Sequence, residues 1–202
     1  MKTIVVVDLD GCLCTVNSFR YWLFFSLIFL LFSLRWAALY KFNLYIVLRI
    51  FGKSDRVRMK RDILSVTENI PTFFIKLFCR FLYLFINRNV LSEVRKYEKL
   101  QVPVVLSTAA PACYVNIFAK KIGFSHVSST RSVFGLSWKE NIGDEKWESI
   151  RAYYGKEVII DCVFTDHHDD LPLLMRARKR VLVRPSRATL GRISGLFDFD
   201  VL

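Results

Sequence analysis

A chain of 202 residues, 53% of them apolar, is long enough to bury a core of its own, and this composition excludes a disordered or fibrous polymer. The formal net charge of +12 calls for an anionic partner, and residues 19–90 supply most of it, with twelve Lys or Arg against three acidic residues. The cysteines Cys12, Cys14, Cys79, Cys113 and Cys162 are odd in number and unevenly spaced, which excludes a disulfide framework. No cleavable signal precedes the first strand, so a reducing, cytosolic compartment is expected. Cys12-x-Cys14 alone lacks the spacing of a structural zinc site.

The first element is a strand over residues 3–7, a run of Ile and Val that stops at Asp8, Asp10 and Gly11. Taken alone, such an acidic glycine turn is ordinary. Residues 18–89 then read as helical, aromatic and basic, with few Gly or Pro to break them. The stretch YWLFFSLIFLLFSL, residues 21–34, is uncharged between Arg20 and Arg35. At about 1.5 Å per residue it reaches roughly 21 Å, short of the roughly 30 Å hydrocarbon core, so residues 21–51 could span, re-enter or lie on a membrane. A second stretch, FFIKLFCRFLYLFI (residues 73–86), sets Lys76 and Arg80 four apart on one side of an aromatic helix. Basic amphipathic helices of this type suit an anionic membrane surface, with KSDRVRMKRD (residues 53–62) as a water-facing link. Nucleic acid is excluded as a partner, because the cations are interleaved with aliphatic surface. A cap core or a dimer interface is the alternative for these apolar residues, and the oligomeric state stays open.

The rest alternates. Strands are expected over 101–111, 126–134, 158–166 and 180–185, and helices over 112–124, 144–154 and 171–179. Near-continuous apolar strands separated by helices predict an α/β, Rossmann-like parallel sheet covered on both faces. Such sheets bind ligands at the carboxyl ends of their strands, where Asp8, Asp10, Thr108 and Asp166 fall. The turn after the third of these strands adds Asp169 and Asp170, with Pro172 in the first turn of the next helix. Four or five carboxylates in one crevice repel unless a proton or a divalent cation is bound, and oxygen ligands suit Mg²⁺. Lys146, in the first turn of its helix, opposes the helix dipole and needs an anion opposite; solvation beside Asp144 and Glu145 is the plain alternative. His167 and His168 are expected as surface or orienting residues.

These motifs, in this order, resemble the phosphoserine-phosphatase-like branch of the haloacid dehalogenase superfamily of phosphatases. The matching residues are Asp8-Leu9-Asp10-Gly11, the strand VVLST ending on Ser107 and Thr108, Lys146 opening a helix, and Asp166 with Asp170 four residues later before Leu171-Pro172. They cover about residues 1–18 and 100–185. The resemblance implies a catalytic core of residues 1–18 and 90–202 interrupted by a helical cap at 19–89. It implies Mg²⁺-dependent hydrolysis through an aspartyl-phosphate, with Asp8 as nucleophile and Asp10 as general acid and base. Mg²⁺ would be held by Asp8, the backbone carbonyl of Asp10 and Asp166, supported by Asp170 and Asp169. Thr108, with Ser107 as the alternate, and Lys146 would hold the phosphate. Two positions depart from the family: Cys12 stands where Thr is common, and Asn17 where phosphoserine phosphatases carry a glutamate, so phosphoserine is a poor substrate.

Core motifs around a long apolar insertion also look like lipid-headgroup phosphatases such as phosphatidylglycerophosphatase C. That likeness implies a phosphorylated lipid or lipid-linked substrate, phosphatidylglycerophosphate first, at the cytoplasmic face of the cell membrane. A soluble small-metabolite phosphatase or phosphotransferase and a non-catalytic membrane adaptor are the alternatives.

Overall fold

The structure is a computed structural model describing residues 2–124, 126–131 and 138–202. Strand β1 (Thr3–Val7) is followed by α1 (Ser18–Phe32), α2 (Trp36–Ile50), α3 (Arg56–Thr67), α4 (Thr72–Tyr83) and α5 (Arg88–Lys99). Then come β2 (Val104–Pro111), α6 (Ala112–Ile122), β3 (His126–Thr130), α7 (Asp144–Tyr154) and β4 (Ile159–Thr165). A 3₁₀ turn (His168–Asp170), α8 (Leu171–Leu174), β5 (Ala177–Leu182), α9 (Arg187–Ile193) and β6 (Asp200–Val201) complete the chain. The strands form one parallel sheet in the order β3-β2-β1-β4-β5-β6.

Because successive strand side chains point to opposite faces, β1 feeds two cores. Val5 and Val7 pack with Leu106, Phe164 and the helices α1, α4, α5 and α6, whereas Ile4 and Val6 pack with Ile160, Val163, Ile150 and Leu173 on the other side. Each such side chain contributes about 1.5–3 kcal/mol on burial, which is why an unbroken apolar strand sits at the centre of the sheet. β1 lies between β2 and β4, so Asp8 and the end of β4 share the carboxyl edge.

The helices between β1 and β2 divide. Ser18, Trp22, Ser26 and Leu30, spaced four apart, are the buried stripe of α1, and Ile75, Phe78, Cys79 and Leu82 are that of α4. Trp22 and Phe78 reach the main core, where both rings lie close to Tyr114 of α6. Leu30, Phe42 and Ile63 instead form a small cluster joining the far end of α1 to α2 and α3. Phe42 is the one buried residue of α2. No helix among the described residues is long and apolar enough to cross a membrane.

Four expectations are corrected or refined. Residues 53–62 are mostly exposed, as expected, but from Arg56 they form the start of α3 rather than a link: Asp55 caps the helix by accepting from the Arg58 N–H, and Lys60 is buried. The helix expected over 171–179 is only the single turn of α8, and the last expected strand begins earlier, at Ala177. Pairing with β4, Ile160 opposite Ala177 and Val163 opposite Arg180, outweighs the helical propensity of the Arg- and Lys-rich run. Strand β2 begins at Val104 rather than 101, after Gln101 turns the chain with φ 59°. For the strand expected over 126–134, β3 accounts for His126–Thr130, and residues 132–134 lie outside the described residues.

Candidate active site

Asp8 follows directly on β1, and its N–H still donates to the Phe164 carbonyl of β4 at 2.9 Å. The chain then folds back, with Leu13 N–H donating to the Asp8 carbonyl and Cys14 N–H to that of Leu9. Gly11 makes this turn with φ +75°, and a Cβ there would lie 2.1 Å from Asp166 Oδ2. The glycine thus lets the turn after β4 close on the turn after β1. Asp10 Oδ1 accepts the Ser18 N–H at 2.8 Å at the start of α1, which aims its carboxylate away from bulk solvent. Ser18 Oγ in turn lies 2.9 Å from the Tyr114 hydroxyl.

Lys146 is 3% exposed and supplies the cation. Its Nζ donates to Asp8 Oδ1 at 2.8 Å and stands 2.6 Å from Asp170 Oδ1, while Asp170 Oδ2 accepts from Thr165 Oγ1 at 2.7 Å. Burial works against the charge of Lys146, yet the carboxylates of Asp170 and Asp8 more than offset it and hold its pKa above the ordinary lysine value. The anion that its place in the first turn of α7 demands is therefore present. Burial pushes the Asp8 carboxyl upward against the pull of Lys146.

Asp8, Asp10, Thr108, Lys146, Asp166, Asp169 and Asp170 all line one cavity of about 300 Å³ at the carboxyl edge of the sheet. Ser107 does not line it; its buried hydroxyl has no hydrogen-bond partner among the described residues. Thr108 Oγ1 accepts the Ala110 N–H at 3.1 Å. His167 lines the cavity, and its Nδ1 accepts the Asp169 N–H, while His168 Nε2 lies 2.6 Å from Arg192 Nη1 of α9. Burial also raises the Cys12 and Cys14 thiols, which keeps them protonated.

Four residues of the site were not singled out from sequence. Arg56 of α3 lines the cavity, Lys60 and Glu140 form a buried ion pair beside it, and Asn141 Nδ2 donates to the Thr108 carbonyl at 3.0 Å. For α3 a signal exists: Ser54-Asp55 ahead of a helical pattern is a capping start. Glu140 and Asn141 sit outside regular elements, where no periodicity marks them.

A profile of haloacid dehalogenase-like hydrolases matches residues 5–175. The chain belongs to the haloacid dehalogenase-like hydrolases. No curated protein sequence matches it. Among solved structures it is similar to a protein from Bordetella pertussis Tohama I described as of unknown function, with TM-score 0.80 and 15% identity over 100% of this chain and 98% of that one. It is also similar to a phosphoserine phosphohydrolase-like protein from Francisella tularensis subsp. tularensis SCHU S4, with TM-score 0.61 and 15% identity over 100% and 95% of the two chains. A third similar structure is a phospho-aspartyl intermediate analogue of phosphoserine phosphatase, with TM-score 0.54 and 11% identity over 99% and 93%.

In this haloacid dehalogenase-like hydrolase the donor set suits a hard divalent cation. The described residues lining the cavity offer carboxylate oxygens and the His167 ring, and no sulfur. Lys146 already neutralises Asp8 and Asp170, whereas Asp166 pairs with no lysine or arginine among the described residues. Burial pushes the Asp166 carboxyl up to about 6, with His167 pulling the other way. A carboxylate whose charged form is disfavoured by burial, beside a second one, is where a cation is stabilising.

Proposed function

We propose that this hydrolase is a phosphomonoester phosphatase that works through an aspartyl-phosphate on Asp8. The single observation that supports it best is the Lys146 ammonium bridging Asp8 and Asp170 while Gly11 admits Asp166 to the same cavity. In this reading an Asp8 carboxylate oxygen attacks phosphorus and the bond from phosphorus to the ester oxygen breaks. Asp10, held by the Ser18 N–H, gives its proton to the departing oxygen. Asp10 then takes a proton from the water that attacks the aspartyl-phosphate, releasing inorganic phosphate and restoring the Asp8 carboxylate. Lys146 and the Thr108 hydroxyl hold the phosphate oxygens; Ser107, which is off the cavity, does not. Asp8, the Asp10 carbonyl and Asp166 would hold Mg²⁺, supported by Asp170 and Asp169. When bound, Mg²⁺ supplies charge neutralisation between an anionic nucleophile and an anionic substrate.

The substrate we propose is a phosphorylated lipid or lipid-linked phosphomonoester, phosphatidylglycerophosphate first, met at the cytoplasmic face of an anionic membrane. Helix α2 supports this reading, because it leaves Trp36, Tyr40, Leu44, Val47 and Ile50 exposed along one side. Phe73 and Leu77 of α4 are exposed beside Lys76 and Arg80. Exposed rings next to cations suit the headgroup boundary of an anionic bilayer, and Arg56 gives the cavity a cation on its inserted side.

The test measures phosphate release from phosphatidylglycerophosphate, phosphatidate and p-nitrophenyl phosphate, with Mg²⁺ and with chelator. Asp8→Asn is expected to lower turnover of all three by about 10³-fold or more; full activity in that variant overturns the nucleophile. Trp36→Ser with Ile50→Ser is expected to weaken pelleting with anionic vesicles about tenfold and to leave p-nitrophenyl phosphate turnover unchanged. Equal turnover of lipid and soluble esters without vesicle binding favours a soluble-metabolite phosphatase instead.

A further inference from the structure

Lys146 is not the only buried lysine. Lys60 of α3 has a side chain 4% exposed, and its Nζ donates to Glu140 Oε1 at 2.5 Å and to the Ala109 carbonyl at 2.7 Å. Glu140, 3% exposed in its side chain, also accepts from Arg56 Nη2 at 2.9 Å. The Ala109 carbonyl accepts a second bond, from Thr130 Oγ1 at 2.6 Å, and Thr130 Oγ1 accepts the Asn141 N–H. Asn141 donates onward to the Thr108 carbonyl. One ammonium therefore joins three parts of the chain: α3, the end of β2 that carries Thr108, and the segment that leads into α7 and Lys146.

A helix does not need a buried charge in order to pack. Ile63 and Leu64 already bury α3, and a buried ion pair costs desolvation that apolar side chains of the same size do not. What the pair adds is direction, because an ammonium held between a carboxylate and a carbonyl constrains the rotation and slide of α3. Arg56, one helical turn earlier on the same side, is then held at the cavity wall. The geometry points to Lys60 as a positioning residue: its bonds to the Ala109 carbonyl and to Glu140 lock α3 onto the end of β2 and the segment before α7, so that Thr108 and Arg56 face the phosphate site in one fixed register. This goes beyond the phosphatase reading, which assigns nothing to Lys60 or Glu140.

The experiment compares the full-length wild type with Lys60→Met, the double variant Lys60→Met with Glu140→Leu, and Asp8→Asn as the inactive reference. It reads p-nitrophenyl phosphate turnover, Tm and amide hydrogen exchange. Lys60→Met leaves the buried Glu140 carboxylate with only the half-exposed Arg56 and is expected to lose both stability and about 10²-fold in kcat/KM. The double variant is expected to regain the Tm, as replacing a buried pair by apolar groups often does, yet to stay at least tenfold down in kcat/KM. In both variants exchange at residues 108–111 is expected to rise together with that of residues 56–67. A double variant with wild-type kcat/KM, or unchanged exchange at 108–111, overturns the proposal. Should the apolar variants fail to fold, Glu140→Gln is read instead, with tenfold lower kcat/KM expected at a temperature where it is fully folded and the wild-type value overturning the proposal. No turnover by the wild type sinks the phosphatase reading and an active Asp8→Asn the nucleophile, whereas a wild-type-like Lys60→Met beside a dead Asp8→Asn sinks the positioning role alone.

Discussion

The two buried lysines divide the molecule. Lys146 stands in the sheet domain, where its motif announces it, between two carboxylates from the ends of β1 and β4. Lys60 stands in the inserted helices, inside a run that reads as solvated, and meets one carboxylate and a backbone carbonyl. Both lie in low dielectric, but their balance differs. For Lys146 the two carboxylates overcome burial and raise its pKa, whereas for Lys60 burial outweighs the pull of Glu140 and the pKa falls. A cation flanked by two anions is secured by charge alone; one flanked by a single carboxylate depends on the geometry that holds the pair together.

The sharpest way to break this comparison is Lys146→Met. It leaves Asp8 and Asp170 facing each other without a cation, and should lower phosphoester turnover by about 10³-fold and stability by about 3–5 kcal/mol. A steady-state assay with a parallel denaturant melt checks it, and Mg²⁺ should restore part of the stability if the carboxylates take the ion instead. Less severe is Gly11→Ala. Its Cβ would fall 2.1 Å from Asp166 Oδ2 at φ +75°, so Asp166 must withdraw, at a cost of about 1–3 kcal/mol and about 10²-fold in turnover. Turnover within threefold of wild type would show that Asp166 need not sit against that turn.

The smallest effect is in the pH dependence of stability. Burial raises the Glu140 carboxyl, but Lys60 and Arg56 pull it further down, so its net position is below the usual 4.5. Its folded pKa being depressed, the unfolded chain binds the proton first. The contribution is whole above about pH 4.5 and is lost as the pH falls through the lower folded value. A Tm series from pH 6 to pH 3 should fall less steeply in the Lys60→Met, Glu140→Leu double variant than in wild type; equal slopes would deny the pair its electrostatic part.

Much of the sheet was legible in the chain. An unbroken run such as Ile4 to Val7 can only be buried on both faces, and the acidic turns at its end and at Asp166 mark where the carboxyl edge must be. Helix α7 shows the same agreement, beginning at Asp144 and ending at Tyr154 as its pattern predicts. The last third was harder to read. The start of β5, residues 177–179, carries no strand pattern of its own, and the open hydrogen-bonding edge on β4 draws it into the sheet ahead of the strand expected from residue 180.

By itself the amino-acid order marked the candidate site residues and the kind of element on which each stands, since burial period and turn chemistry are local properties. Tertiary structure decided the rest: that Asp166 closes on Gly11, that Thr108 and not Ser107 lines the cavity, and that Lys60 is buried rather than solvated. The physical reason is that desolvation and ion pairing depend on what arrives from distant parts of the chain. Eighty residues separate Lys60 from Glu140 and 138 separate Lys146 from Asp8, distances along the sequence over which no local pattern speaks.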